Sequence, residues 1–258
     1  MPMPRPWRGV RLSASTRHAT SSARIEPVSL VVTCEHGGNR IPPAYAAWFR
    51  GARALLATHR GYDPGALAMA RTLSSAFSAV LVASTVSRLL VDLNRSPSHR
   101  AVYSAVIRKA PPDVRREIYR RYYLPYRTAV EDAVRAAVRR GYRVVHISAH
   151  SFAPILDRIV RRADVGLLYD PHRRSEQRLC ALWQSAMRVR APDWRVRRNY
   201  PYKGNSDGLT RYLRLKFGSG VYSGIELEIN QRMIGNSARG WEQTRSTIVA
   251  SLRAALDM

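Results

Sequence analysis

Apolar positions along the chain follow two rhythms. Val28-Ser29-Leu30-Val31-Val32-Thr33-Cys34 is short, almost continuously apolar and rich in β-branched residues, which predicts a buried strand. Similar runs over 79–84, 142–148, 164–169 and 225–229 predict further strands, and 89–93 a short extended piece. Between them the spacing lengthens to three and four residues. Leu67, Ala70, Leu73 and Phe77 mark a helix over 66–77, with Pro64 suited to its first turn. Ala129, Val130, Ala133, Val134, Ala137 and Val138 stripe one face of a helical stretch over 113–140, which Pro125 should kink or divide and Gly141 should end. Further helices are predicted over 42–57, 174–187 and 241–256.

Strands that alternate with helices, and that are mostly apolar on both faces, predict an α/β fold. The expected architecture is a single domain with a mixed, mostly parallel sheet and helices on both faces. With 258 residues, 45% of them hydrophobic, the chain can build one sizeable core. No apolar run approaches the ~18 residues needed to span a bilayer. Residues 1–25 are rich in Arg, Ser and Pro with no acid before Glu26, so a disordered N-terminal extension is expected there and the domain over 26–258.

The net charge of +25 changes this picture little. Only Lys109, Lys203 and Lys216 are lysines, and the arginines are spread along the chain without a dense run. This reads as a solvated basic surface, compatible with steering of an anionic small molecule. A non-enzymatic nucleic-acid-binding protein is the alternative from a different class, but no specific nucleic-acid module is visible and no specific nucleic-acid or membrane partner is expected. The oligomeric state stays open. Cys34 and Cys180, far apart and without metal-type spacing, suggest a reducing, cytoplasmic setting.

Chemistry concentrates where ligands bind in such sheets, beyond the carboxyl ends of the strands. The first strand leads into Glu35-His36-Gly37-Gly38-Asn39, where glycines let backbone approach a ligand or metal closely. Another strand leads into His150-Ser151. Two histidines at neighbouring strand ends suggest a divalent metal, which would take a third protein ligand. Asn39, Asp63 and Glu35 are all placed to be that ligand, while His146 reads as a core or supporting histidine. Glu226 and Glu228 share one face of a late strand, and either could be a general base. For Glu226 a salt bridge to an arginine is the plainer expectation. Arg88 and Arg95 flank Asp92-Leu93-Asn94; a guanidinium suits a substrate carboxylate, and Asp92 can hold one of the arginines in place.

The segment Cys34-Glu35-His36-Gly37-Gly38-Asn39-Arg40-Ile41-Pro42 resembles the opening motif of the N-formylglutamate amidohydrolases. Five later blocks resemble the same family in the same order: Asp63 to Ala66, Ser87 to Arg95, Ser148 to Ser151, Asn199 to Gly208, and Gly224 to Asn230. The resemblance implies a fold similar to the zinc carboxypeptidases and aspartoacylases. It also implies zinc held by His36 and His150, Glu228 as the base, and Asn94 with Arg95 as the clamp on a substrate carboxylate. Asn39 stands where those relatives place a glutamate ligand, which leaves Asp63 or Glu35 to complete the metal site. The implied reaction is hydrolysis of an N-acyl amino acid, N-formylglutamate or a similar acidic N-formyl compound, with Arg88 assisting and Tyr202 or Lys203 closing over the site from a loop. A related metal hydrolase of another N-acyl amino acid or a small peptide is the alternative within the same chemistry.

Overall fold

The computed structural model describes residues 27–235 and 237–257, so the extension expected at 1–25 lies outside the described residues. Strand β1 (Val28–Cys34) is followed by a 3-10 helix (Pro43–Phe49), a short helix α1 (Arg53–Leu56), α2 (Ala66–Phe77) and β2 (Val80–Ala83). Helices α3 (Ala105–Arg108), α4 (Pro112–Ile118) and α5 (Leu124–Arg139) lead to β3 (Arg143–Phe152). A two-stranded hairpin, β4 (Ile155–Leu156) and β5 (Ile159–Val160), precedes β6 (Val165–Leu168), α6 (Arg174–Arg190) and β7 (Val196–Arg198). Helix α7 (Leu209–Lys216), β8 (Tyr222–Asn230) and α8 (Ala238–Leu256) complete the order.

The six-stranded sheet runs β2-β1-β3-β8-β6-β7. The pairs β1–β2, β1–β3, β3–β8 and β6–β7 are parallel, and β6 runs antiparallel to β8. This is the single-domain, mostly parallel α/β architecture that the apolar rhythm predicts. No helix among the described residues is long and apolar enough to cross a membrane.

The two faces of the sheet differ, contrary to the expectation of apolar strands on both sides. Leu30, Val32 and Cys34 of β1, Val145, Ile147 and Ala149 of β3, and Ile225, Leu227 and Ile229 of β8 pack on one side against α2, α6 and α8. Trp183 of α6 is fully buried there, and its indole N–H donates to the Ile248 carbonyl of α8 at 3.2 Å. The opposite face, under α5 and α7, is apolar only near Val31, Val144 and Tyr222. From there Thr33, His146, Ser148, His150, Glu226 and Glu228 form a polar row. Alternation explains it, since residues two apart in a strand share a face.

Such a row is tolerable only when its members bond one another. Tyr222 pairs with His146 Nδ1 at 2.7 Å, and His146 Nε2 with Thr33 Oγ1 at 2.9 Å. Burial pushes the His146 imidazole down from 6.5 to about 4, so the folded protein keeps it neutral where the unfolded chain protonates it. The associated stability is present above pH 6.5 and is lost as pH falls from there to about 4, by at most about 3 kcal/mol. His146→Gln should therefore flatten the fall in unfolding free energy over that interval. Urea unfolding across a pH series measures it, and an unchanged slope would exclude the assignment.

Several elements depart from the sequence pattern. The stretch 42–57 breaks into two helical pieces around Gly51, whose φ of +81° no helix accommodates. Residues 89–93 form turns rather than an extended strand. Pro64 lies just outside α2, whose N-cap is Gly65 at φ +76°. The stretch around Pro125 stays helical: α4 passes through a π-helical turn (Tyr119–Tyr123) into α5 without a break, and Pro125, which has no N–H to donate, lies just after that turn.

Candidate active site

Three loops are laced together beyond the ends of β1 and β2. Gly37 N donates to Ser84 O and Arg40 N to Thr85 O, both at 3.0 Å. A Cβ on Gly37 would lie 2.8 Å from Ser84 O, and one on Gly38 2.7 Å from Thr85 O. The glycine pair thus serves close contact with the 84–85 backbone, not with a ligand as its position had suggested. Asp63 N donates to His36 O at 2.9 Å, and Ser87 Oγ donates to Gly61 O at 2.8 Å. These bonds set His36, Asp63, Arg88 and Asp92 beside the end of β3.

There His36, Asp63 and His150, all buried, bring one donor atom each within 4.8 Å of the others, a group that could hold a metal ion. Asp63 Oδ2 lies 2.9 Å from His150 Nδ1 and 3.4 Å from His36 Nδ1. The remote nitrogens face carboxylates: His36 Nε2 meets Asp92 Oδ1 at 2.7 Å, and His150 Nε2 meets Glu35 Oε2 at 3.0 Å. A carboxylate behind each ring holds the proton on Nε2 and leaves the Nδ1 lone pair for a cation. His36 Nδ1 is itself buried without a hydrogen-bond partner, as a nitrogen awaiting a cation would be. Glu35 is further fixed by donors from Tyr126 at 3.0 Å and Ser148 at 2.7 Å.

The charges here are strongly coupled. Burial opposes ionisation of Asp63, but His36, His150 and Arg88 outweigh it and hold the carboxyl well below its usual range. Burial likewise opposes ionisation of Glu35 and Asp92, and is overcome by His150 for the first and by Arg88 and His36 for the second. Burial also works against protonated His150, yet its bonds to Asp63 and Glu35 raise its pKa well above 6.5. A proton thus sits on His150 where a cation would compete for the same lone pair.

His150 and Glu228 are register partners on parallel strands, so their side chains rise side by side, about 5 Å apart at the backbone. Both lie within their strands: β3 runs further than its apolar run suggests and takes in His150, while Glu228 falls inside the strand predicted over 225–229. Glu228 is buried, and its Oε2 has no partner. Burial, then the nearby Asp63 and Glu226 carboxylates, push its pKa up from 4.5 to about 8 against the pull of His150 and Arg88. A cation in the adjacent group would draw it back down.

His36, Asp63, His150 and Glu228 open into a cavity of about 260 Å³, which Arg88, Asn94, Arg95, Tyr202, Lys203 and Glu226 also line. Most residues singled out in the sequence therefore converge. Asn39 does not: it is exposed, its amide donates to Leu56 O at 3.1 Å, and it stands outside the metal-competent group, where Asp63 takes the third place. Glu226 forms no ion pair among the described residues; it accepts from Thr210 Oγ1 at 2.7 Å. Arg88 is already engaged by Asp92 at 2.7 Å and Asp63 at 3.4 Å. His59, Arg161, Ser206 and Asp207 also line the cavity without having been singled out. Arg161 was hidden among many arginines, and His59 only by its place four residues before Asp63 could have drawn notice.

The sequence model of the N-formylglutamate amidohydrolase family matches residues 28–235. A solved gene product of Agrobacterium tumefaciens is similar at 27% identity and a TM-score of 0.77, with 90% of this chain and 92% of that one covered. The N-formylglutamate amidohydrolase of Ralstonia eutropha is similar in fold at 21% identity and a TM-score of 0.66, with 90% and 94% covered. No curated protein matches the chain.

Proposed function

The chain belongs to the N-formylglutamate amidohydrolase family, and from that premise we propose that it is a metal-dependent enzyme that hydrolyses N-formylglutamate or a closely similar acidic N-formyl amino acid to formate and the free amino acid. The observation that carries the reading is that two buried atoms without a hydrogen-bond partner, His36 Nδ1 and Glu228 Oε2, belong to residues lining one cavity. Two imidazoles and one carboxylate, each imidazole backed by a carboxylate, suit a divalent ion such as zinc. Such an ion supplies Lewis acidity, polarising an amide carbonyl and acidifying water at the site.

The chain's own residues do the rest. Glu228, buried and poised near neutrality, takes a proton from the attacking water and delivers it to the leaving amide nitrogen, so that formate and a free amine depart. Arg88, fixed by two carboxylates, presents positive charge beside the carbonyl oxygen as it becomes anionic. Asn94 Oδ1 accepts from Leu209 N at 2.7 Å, which fixes the amide and leaves Nδ2 for substrate. Arg95 donates through NH1 to Asp207 O at 3.1 Å and keeps its other donors for a substrate carboxylate. Tyr202 and Lys203, exposed at the cavity wall, close the substrate off from solvent. The substrate is a small anion, and the two buried free thiols fit a cytoplasmic setting.

A cavity of about 260 Å³ favours a single amino-acid derivative over a longer peptide. Purified protein supplied with zinc should release formate from N-formyl-L-glutamate at least about tenfold faster, in kcat/KM, than it releases acetate from N-acetyl-L-glutamate or cleaves a dipeptide. Preferred cleavage of the acetyl compound or the dipeptide would replace the substrate while keeping the reaction class; no hydrolysis of any of the three would remove the reading.

A further inference from the structure

An acidic N-formyl amino acid carries two carboxylates, and Asn94 with Arg95 accounts for one. Arg88 is a poor receptor for the other, because Asp63 and Asp92 already balance its charge inside the protein. The opposite kind of arginine stands elsewhere in the cavity wall, just after β5. Arg161 is half-buried and in no ion pair among the described residues. Its NH1 donates to Tyr202 Oη at 3.0 Å, and its guanidinium lies over the Tyr202 ring, 5.0 Å from the centroid. Its carbonyl accepts from Asn230 Nδ2 at 2.9 Å, which ties it to the end of β8.

Lys203, next to Tyr202, lines the same cavity and is likewise in no ion pair among the described residues. Neither Glu226 nor Asp207 in the cavity wall pairs with Arg161; the first accepts from Thr210, and Asp207 Oδ2 accepts from Ser96 N at 3.0 Å. A guanidinium oriented by one tyrosine, with its backbone tied to β8, partly desolvated and lacking an anion, keeps donors for a carboxylate in a bidentate pair.

We propose that Arg161, oriented by Tyr202 and assisted by Lys203, forms a second carboxylate subsite that selects dianionic substrates by their side-chain carboxylate. The naming of that substrate rests on the hydrolysis proposed above; the binding of a dicarboxylate does not. Arg161→Met should lower kcat/KM for N-formyl-L-glutamate by about 100-fold, mainly through KM, and change it by less than about threefold for N-formyl-L-methionine. Arg161→Lys should recover part of the loss. Lys203→Met also removes cover from the cavity, so it should lower kcat/KM for both substrates, by about fivefold more for the acidic one than for the neutral one.

Calorimetric titration with glutarate and with butyrate reads the same subsite without turnover. Wild-type protein should bind glutarate at least about tenfold more tightly than Arg161→Met does, with butyrate affinity equal in the two. Equal losses on acidic and neutral substrates, or glutarate affinity that Arg161→Met leaves unchanged, would overturn the subsite. An Arg161-dependent glutarate site in a protein that hydrolyses no N-formyl compound would keep the subsite and discard the reaction.

Discussion

Glu228→Gln should leave a folded protein that hydrolyses N-formyl-L-glutamate about 1,000-fold more slowly, with KM little changed. The amide has the shape of the carboxyl but no basicity, so it accepts no proton from water. The same exchange should not weaken the fold. Glu228 is a buried acid whose Oε2 lacks a partner and whose pKa stands near 8, a position that costs stability whenever the group ionises. Thermal unfolding of the variant should therefore be at or above the wild-type midpoint, as when a strained active-site group is neutralised. Glu226→Gln is the control. Its carboxylate accepts from the Thr210 hydroxyl, which an amide oxygen also satisfies, so activity should fall less than about tenfold. Full activity in Glu228→Gln, or equal losses in the two variants, would take the base role from Glu228.

Asp63→Asn should abolish tight metal binding and lower turnover by about 1,000-fold or more, since the variant loses the only carboxylate of the metal-competent group. His150 and Arg88 would each lose one of two charged partners at the same time, keeping Glu35 and Asp92 respectively. The supporting carboxylates should matter less. Glu35→Gln and Asp92→Asn leave the three donors in place but loosen the imidazole behind which each sits, and should cost roughly 10- to 100-fold in metal affinity. Asn39→Ala should change metal content not at all, because its amide serves the Leu56 carbonyl. Metal analysis after gel filtration, at equal protein concentration, ranks the variants. An order in which Asn39→Ala loses metal and Asp63→Asn retains it would contradict the geometry.

Much of this arrangement was legible in the sequence, for identifiable reasons. Strands such as Val28–Cys34 announce themselves by apolar continuity, and α5 by its stripe at three- and four-residue spacing. His36, His150 and Glu228 could be found because they follow or end such runs. What stayed hidden depends on contacts between distant segments. Thr33 and Ser148 look like polar interruptions of apolar strands, and His146 like a lone core histidine, until β1 and β3 pair in register and turn them onto one polar face. Asp63 could be named only as one of three candidates for the third donor; the bond of its N–H to the His36 carbonyl, across a loop, brings it beside His36. Asn39 failed because local sequence places it near His36 while the turn sends its side chain outward. Arg161 carries no periodic or motif signal; only the cavity and the Tyr202 ring distinguish it from its many neighbours in kind.

The central claim is that amide hydrolysis here depends on a divalent ion held by His36, Asp63 and His150. The most direct test measures formate release from N-formyl-L-glutamate by one preparation before chelator treatment, after its removal by dialysis, and after zinc is returned at one equivalent. The account predicts loss of at least about 99% of the activity on chelation and its recovery at one equivalent in wild-type protein, but not in Asp63→Asn. Full activity in metal-free protein would contradict it.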